Sequence, residues 1–464
     1  MGSARQPDRK QSRRSRLALA VVATEAVLLV VFYYCIPQMR RPFEYLMVLL
    51  AVFCVLTMIV LRKPFWRGLL MIVASVAFSL FLLEMGQKYL NILDVKDARE
   101  RFNRPDPESA YYFRENDPTS FLAAKNRLVA DGLDDGAFED RFHADSEIVK
   151  KFSLFHKWDY SNGYTLHEGV LPYTRQGPPL GFELTPDNVS RVVVKTNPGD
   201  VVVHDGLFTA DRHGLRLTRA NNDSEEVYIF TGCSFMFGDN LNDDQTLPHY
   251  FSSEFGFELS VINLSVCAWG PHQVLRDLEL DYHLKDFNLS GKKVKRVYYD
   301  LIDNHTIRVE PPNHPLAPYY TIENGKLTFK GPYQEYVGEL SNISIMMNRS
   351  RIYPILSERI RHSLASNQLR HRWTVTVAIL KEMERICRDR YDADFTVLYW
   401  DHDPAVLDML DKNGIEVISV LDVFDDDWRE HMIKYYLFDS HPSAYANRKL
   451  AKYLADKEKA VGID

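Results

Sequence analysis

Val227-Tyr228-Ile229-Phe230-Thr231-Gly232-Cys233-Ser234-Phe235 begins as a short unbroken apolar run and stops at a glycine. A run of this kind, without polar alternation, fits a strand buried on both faces. The same signal recurs downstream. An amphipathic helix is expected around 247–255, closed by Gly256, and a second strand over 259–264. Pro271 opens a helix with Val274, Leu275 and Leu278 on one face, and 294–302 forms a third strand. Residues 395–400 and 415–420 add two more strands, separated by a helix carrying Val406, Leu407 and Leu410, and a last helix runs from about 443 to 456. Strands alternating with helices predict an α/β domain over 226–464, with a parallel sheet covered on both sides. In such sheets the site lies at the carboxyl ends of the strands.

The polar residues at those ends carry chemistry. Ser234 leaves the first strand in a tight turn, where a hydroxyl is exposed and backbone N–H donors are close. Alone, a serine there is an ordinary helix cap. The Gly-x-Ser-x-Gly elbow is absent because position 236 is Met, which argues against the α/β-hydrolase fold. Asp439-Ser440-His441-Pro442 precedes the final helix. A serine hydroxyl needs a base, and the base needs a carboxylate to fix its tautomer, so Asp439 and His441 are candidates for both. Asn304 follows the third strand and can donate to an oxyanion or simply shape a turn. The stretch from Asn263 to Pro271 follows the second strand and offers backbone donors. Four pieces at the required strand ends make a joint case that none makes singly.

Taken together, these blocks resemble the SGNH/GDSL hydrolase superfamily of esterases, deacetylases and O-acetyltransferases. The first block is Gly232 to Gly238 with Asp243, Gln245, Thr246 and Pro248 behind it; the others are Asn263 to Pro271, Leu301 to Asn304 and Asp439 to Ala451. Leu180-Gly181-Phe182 and Asp211 to Arg216 also resemble membrane-anchored bacterial members. The likeness covers roughly 175–460, with nothing contributed by 305–390. It implies Ser234 as nucleophile, His441 as base and Asp439 as its orienting acid, with Ser234 N–H, Ala268 N–H and Asn304 holding the oxyanion. It departs from the pattern in three places. Cys233 replaces the usual Asp. Ala268 replaces a usual Gly, which serves if its φ is negative, with Gly270 as fallback. Asp439 stands two residues before His441 where three is commoner.

The first hundred residues differ from the rest. Arg5, Arg9, Lys10, Arg13, Arg14 and Arg16 make 1–16 a basic tail, read as cytoplasmic, and three apolar runs follow at 17–36, 43–61 and 66–85. Each approaches the ~20 residues that a helix needs to cross the bilayer, so 17–86 is expected to hold three transmembrane helices. Basic residues before the first run, and at Arg62, Lys63 and Arg67, place the N-terminus inside and the later chain outside the cytoplasm. The expected location is thus a multi-pass inner membrane with an extracytoplasmic catalytic domain. Residues 87–225 form a linker and small β-rich lead-in, with strands at 191–195 and 201–204 around the turn 197–200.

A net charge of −7 gives no electrostatic reason for a nucleic-acid partner. Five cysteines without Cys/His metal spacing suggest neither a disulfide scaffold nor a metal site, and the chemistry needs no cofactor. Cys233 and Cys267, at neighbouring strand ends, are read as buried thiols. His249, His272, His283 and His314 are read as surface residues, and Trp269 as either a substrate contact or a structural aromatic. The insertion at about 305–390 is read as helical, its basic stretch 349–372 being either a solvated helix or a lid. The expected fold is a flavodoxin-like three-layer α/β/α domain behind three membrane helices and the lead-in. Its expected activity is hydrolysis of an O-acyl ester of a cell-envelope glycan or lipid. Transfer of the acyl group to a glycan, and a non-catalytic scaffold that keeps the fold, are the alternatives.

Overall fold

The computed structural model describes residues 118–133, 148–159, 162–337 and 365–461 apart from a few single positions, with short helical stretches between 46 and 82. Two units are distinguished, 1–104 with 337–368, and 105–336 with 369–464. The site lies in the second.

That unit starts with helix α1 (Pro118–Ala130) and strands β1 (Ser153–Asp159) and β2 (Gly163–Gly169). A short hairpin, β3 (Thr174–Gly177) with β4 (Gly181–Leu184), precedes β5 (Asn188–Thr196) and β6 (Val202–Ala210). β1, β2, β5 and β6 make an antiparallel sheet in that order. Asp200 in the turn between β5 and β6 has φ +50°, a conformation that Asp tolerates better than most residues.

The α/β part follows: β7 (Glu226–Gly232), α2 (Ser234–Phe237), α3 (Leu247–Glu254), β8 (Ser260–Ser265), α4 (Pro271–Leu280), β9 (Lys293–Leu301) and α5 (Asn304–Val309). A β10–β11 hairpin (Pro318–Glu323, Lys326–Pro332) and α6 (Tyr333–Val337) come next. The chain then runs through α7 (Ala365–Tyr391), β12 (Asp394–Tyr399), α8 (Pro404–Lys412), β13 (Val417–Ser419), α9 (Met432–Tyr435) and α10 (Ala444–Val461). The sheet order is β13-β12-β9-β7-β8, every pair parallel. Parallel neighbours need crossover helices, and the strand side chains show on which face each packs. Ile229, Leu264, Val297 and Val397 join α4 and α7 through Leu278, Ile379 and Met383. Tyr228, Phe230, Val261, Tyr298 and Leu398 point the other way, toward Phe251 of α3 and Leu450 and Leu454 of α10. Both faces are therefore dry, which is why these strands read as unbroken apolar runs.

Two expectations are corrected here. Among the described residues no helix is long and apolar enough to cross a membrane, in conflict with three transmembrane helices. Of the run 66–85, residues 71–79 and 81–82 are described, as helix, and the others lie outside the described residues. The run 17–36 and nearly all of 43–61 lie outside the described residues. The multi-pass location with its outward-facing domain falls with the spans. The insertion, expected to be helical, holds α6 and nearly all of α5 and α7 and carries an antiparallel hairpin as well; α7 is the crossover helix that leads into β12. Most of its basic stretch lies outside the described residues.

Candidate active site

β7 and β9 are central strands in parallel register, Thr231 opposite Tyr299. Their carboxyl ends therefore stop side by side, and the loop before α10 comes to the same end of the sheet. Ser234 is the first residue of α2, so its N–H has no intrahelical acceptor. Its side chain is nearly covered.

Ser234 Oγ lies 2.8 Å from His441 Nε2, and His441 Nδ1 lies 2.7 Å from Asp439 Oδ2. The short spacing between acid and base works because Ser440 adopts φ +69°. That left-handed residue curls the loop until Asp439 meets the ring two positions ahead and also accepts the His441 N–H at 3.2 Å. Burial pulls the His441 imidazole down, but the charge and hydrogen bond of Asp439 outweigh it and raise it to about 9; Asp239 adds to the rise. Burial pushes the Asp439 carboxyl up, and the facing imidazole more than reverses this, leaving it below the usual carboxylate range. Phe235 walls one side of the imidazole, ring centroids 5.4 Å apart, and Trp400 stands edge-on behind Phe235 at 5.5 Å.

The expected oxyanion donors fare unequally. Asn304 opens α5, is exposed, and its amide has no hydrogen-bond partner among the described residues. Ala268 sits on the exposed turn after β8, beside β7, and its carbonyl accepts Asn313 Nδ2 at 2.7 Å. Its φ is +64°, not negative as expected. The turn thus keeps the left-handed backbone of a glycine although the residue is alanine. Gly270 offers no fallback, because its N–H already donates to Gln273 Oε1 at 3.0 Å.

Several roles around the site escape motif reading. Asn240, at φ +61° in the turn after α2, donates its amide to Asp439. Arg216 is fully buried and gives hydrogen bonds to the carbonyls of Phe237, Gly238 and Leu241, which ties down the chain that follows the nucleophile. Asp300 interrupts the apolar β9 and receives the Cys233 N–H; a buried acid in an apolar strand was the one visible signal. Trp269 is structural, fully buried with Nε1 donating to the Phe182 carbonyl at 2.9 Å. His272 and His283, expected at the surface, are buried.

Cys233, Asp300 and His305 bring donor atoms within 4.8 Å of one another, the spacing a cation would need. The Cys233 thiol already donates to Asp300 Oδ2 at 3.0 Å, and the Arg308 charge acts on all three groups. The cluster is thus a hydrogen-bonded one beside a positive charge, a poor host for a dication.

No family model matches the chain, and no curated protein matches it.

Proposed function

We propose that this protein is a serine ester hydrolase of the SGNH/GDSL kind, acting on an O-acyl ester through an acyl-enzyme. The observation that carries the reading is the continuous line from Ser234 Oγ through the His441 ring to Asp439, with both links at hydrogen-bond distance. In this reading His441 Nε2 takes the Ser234 proton as Oγ attacks the ester carbonyl carbon. Asp439 holds the imidazole with Nδ1 protonated and stabilises the imidazolium. The tetrahedral oxyanion lies against Ser234 N–H and the Asn304 amide, and against Ala268 N–H, since the positive φ there, though not the expected sign, is the one a glycine at that turn would take. The imidazolium then protonates the leaving alkoxide as the carbonyl re-forms. Water, deprotonated by the same imidazole, attacks the acyl-enzyme and frees the acid and Ser234. A glycan or lipid ester remains the proposed substrate class.

The test is a fluorophosphonate label followed by identification of the modified peptide, with p-nitrophenyl acetate hydrolysis alongside. The label is expected on Ser234, and S234A is expected to lose both label and turnover. Equal turnover by the two proteins overturns the proposal.

A further inference from the structure

Gly232, Cys233 and Asp300 form a second line that reaches Ser234 from behind. An ideal Cβ on Gly232, whose φ is +147°, would lie 1.3 Å from Asp300 Oδ1. The carboxylate therefore occupies the space a side chain at 232 would take. From there Oδ1 accepts the Cys233 N–H at 2.8 Å and Oδ2 accepts the Cys233 thiol at 3.0 Å. Cys233 Sγ in turn lies 3.8 Å from Ser234 Oγ. Cys233 and Asp300 are both fully buried, so no water competes for these groups.

We propose that Asp300 is a positioning residue for Ser234, acting through the thiol of Cys233. By holding both protons of Cys233 it fixes the backbone into the nucleophile and turns the sulfur lone pairs, not the S–H, toward Oγ. A thiol free to rotate would donate to Oγ and occupy the lone pair that must attack the carbonyl. With the thiol proton held on Asp300, the Ser234 hydroxyl has His441 as its partner and keeps its attacking electrons free. This inference rests on the proposed esterase reading and adds to it a residue outside the triad.

The charges around Asp300 agree with an acceptor role. Burial raises its carboxyl to about 6, while the two Cys233 hydrogen bonds and Arg308 of α5 hold it down. At neutral pH the carboxylate is ionised and able to accept both donors. Of its other neighbours, Tyr299 is pushed well up by burial and by the Asp300 charge, and so stays neutral. Burial pulls the His305 imidazole well down, with Arg308 adding to this.

The experiment is a cycle of D300N, C233A and the double variant on p-nitrophenyl acetate, with infrared spectroscopy of the S–H stretch. Asn keeps an acceptor for the Cys233 N–H but presents an NH2 group to the sulfur, which releases the thiol proton. D300N is expected to lower kcat about tenfold, the size of one hydrogen bond lost in the transition state, with KM unchanged. In the C233A background the same substitution is expected to have little effect. The S–H band assigned by its loss in C233A is expected at lower frequency in the unaltered protein than in D300N. Full turnover by D300N, an undiminished loss in the C233A background, or an S–H band that D300N does not move would each overturn the inference. Failure of the esterase reading is a different result: no protein of the set, the unaltered one included, shows turnover that depends on Ser234.

Discussion

Asn240 donates its side-chain amide to the Asp439 carboxylate across 199 positions of sequence. The acid of the site is therefore gripped from two sides, by the imidazole it orients and by a turn that follows the nucleophile. Because Asn240 stands at φ +61°, glycine can replace it without backbone strain, so N240G removes the amide and little else. Loss of one hydrogen bond to a charged group is expected to cost ~1–3 kcal/mol of stability. Urea unfolding should read that loss, and kcat should fall with KM nearly constant as Asp439 gains freedom.

The raised imidazole of His441 sets the pH dependence of the reaction. Only the neutral ring can take the Ser234 proton, so kcat/KM for an ester should rise with pH and level off above about 9. D439N removes the carboxylate that outweighs burial. The midpoint of the profile should then fall well below 9, with a large loss of rate because the tautomer is no longer held. A profile unmoved by D439N would show that Asp439 does not orient this base.

Asn304 and Ala268 separate substrate binding from structure. Asn304 is exposed, and among the described residues its amide has no partner to lose. N304A should leave the unfolding midpoint unchanged and lower kcat by ~10²-fold, the usual effect of deleting one oxyanion donor. A268G is the converse. Glycine suits φ +64°, so relief of strain should raise stability by up to ~1 kcal/mol while the N–H stays in place.

The strand ends were legible because each buried strand leaves an unbroken apolar run that stops where the chain turns. Ser234 and Asn304 were named because they stand just beyond such runs, and His441 because it stands with Asp439 just before the final helix. Asn240 was not, since its partner is an acid far along the chain and such a contact leaves no local pattern; Arg216 ends a block already noted, but nothing in that block marks it as the buried donor to the carbonyls after the nucleophile. The left-handed backbone of Ala268 was hidden for another reason: alanine is chemically silent about φ. The apolar runs near the N-terminus gave the most misleading signal. Hydropathy measures whether a segment tolerates lipid, but crossing also needs a long apolar helix, and among the described residues there is none.

His283 provides a stability test away from the nucleophile. Its Nδ1 lies 2.7 Å from Asp277 on α4, and its Nε2 faces Glu183 on β4 at 3.4 Å, so a buried cation bridges the lead-in hairpin and the α/β sheet. Burial pulls the imidazole down, and the two carboxylates more than compensate, raising it to about 9 from an ordinary 6.5. A folded-state value above the unfolded one means the contribution is complete below about 6.5 and is lost as pH rises through about 9. The unfolding free energy should accordingly fall between these limits by an amount on the order of 3 kcal/mol for this group, and the urea midpoint with it. His441 contributes a drop in the same window, so the comparison belongs in an H441Q background. There H283Q should be less stable at neutral pH, because Asp277 is left buried without its cation, and its midpoint should no longer fall between pH 6.5 and 9. If H441Q with His283 intact shows no fall across that window, the imidazole is not held as a cation between the two acids.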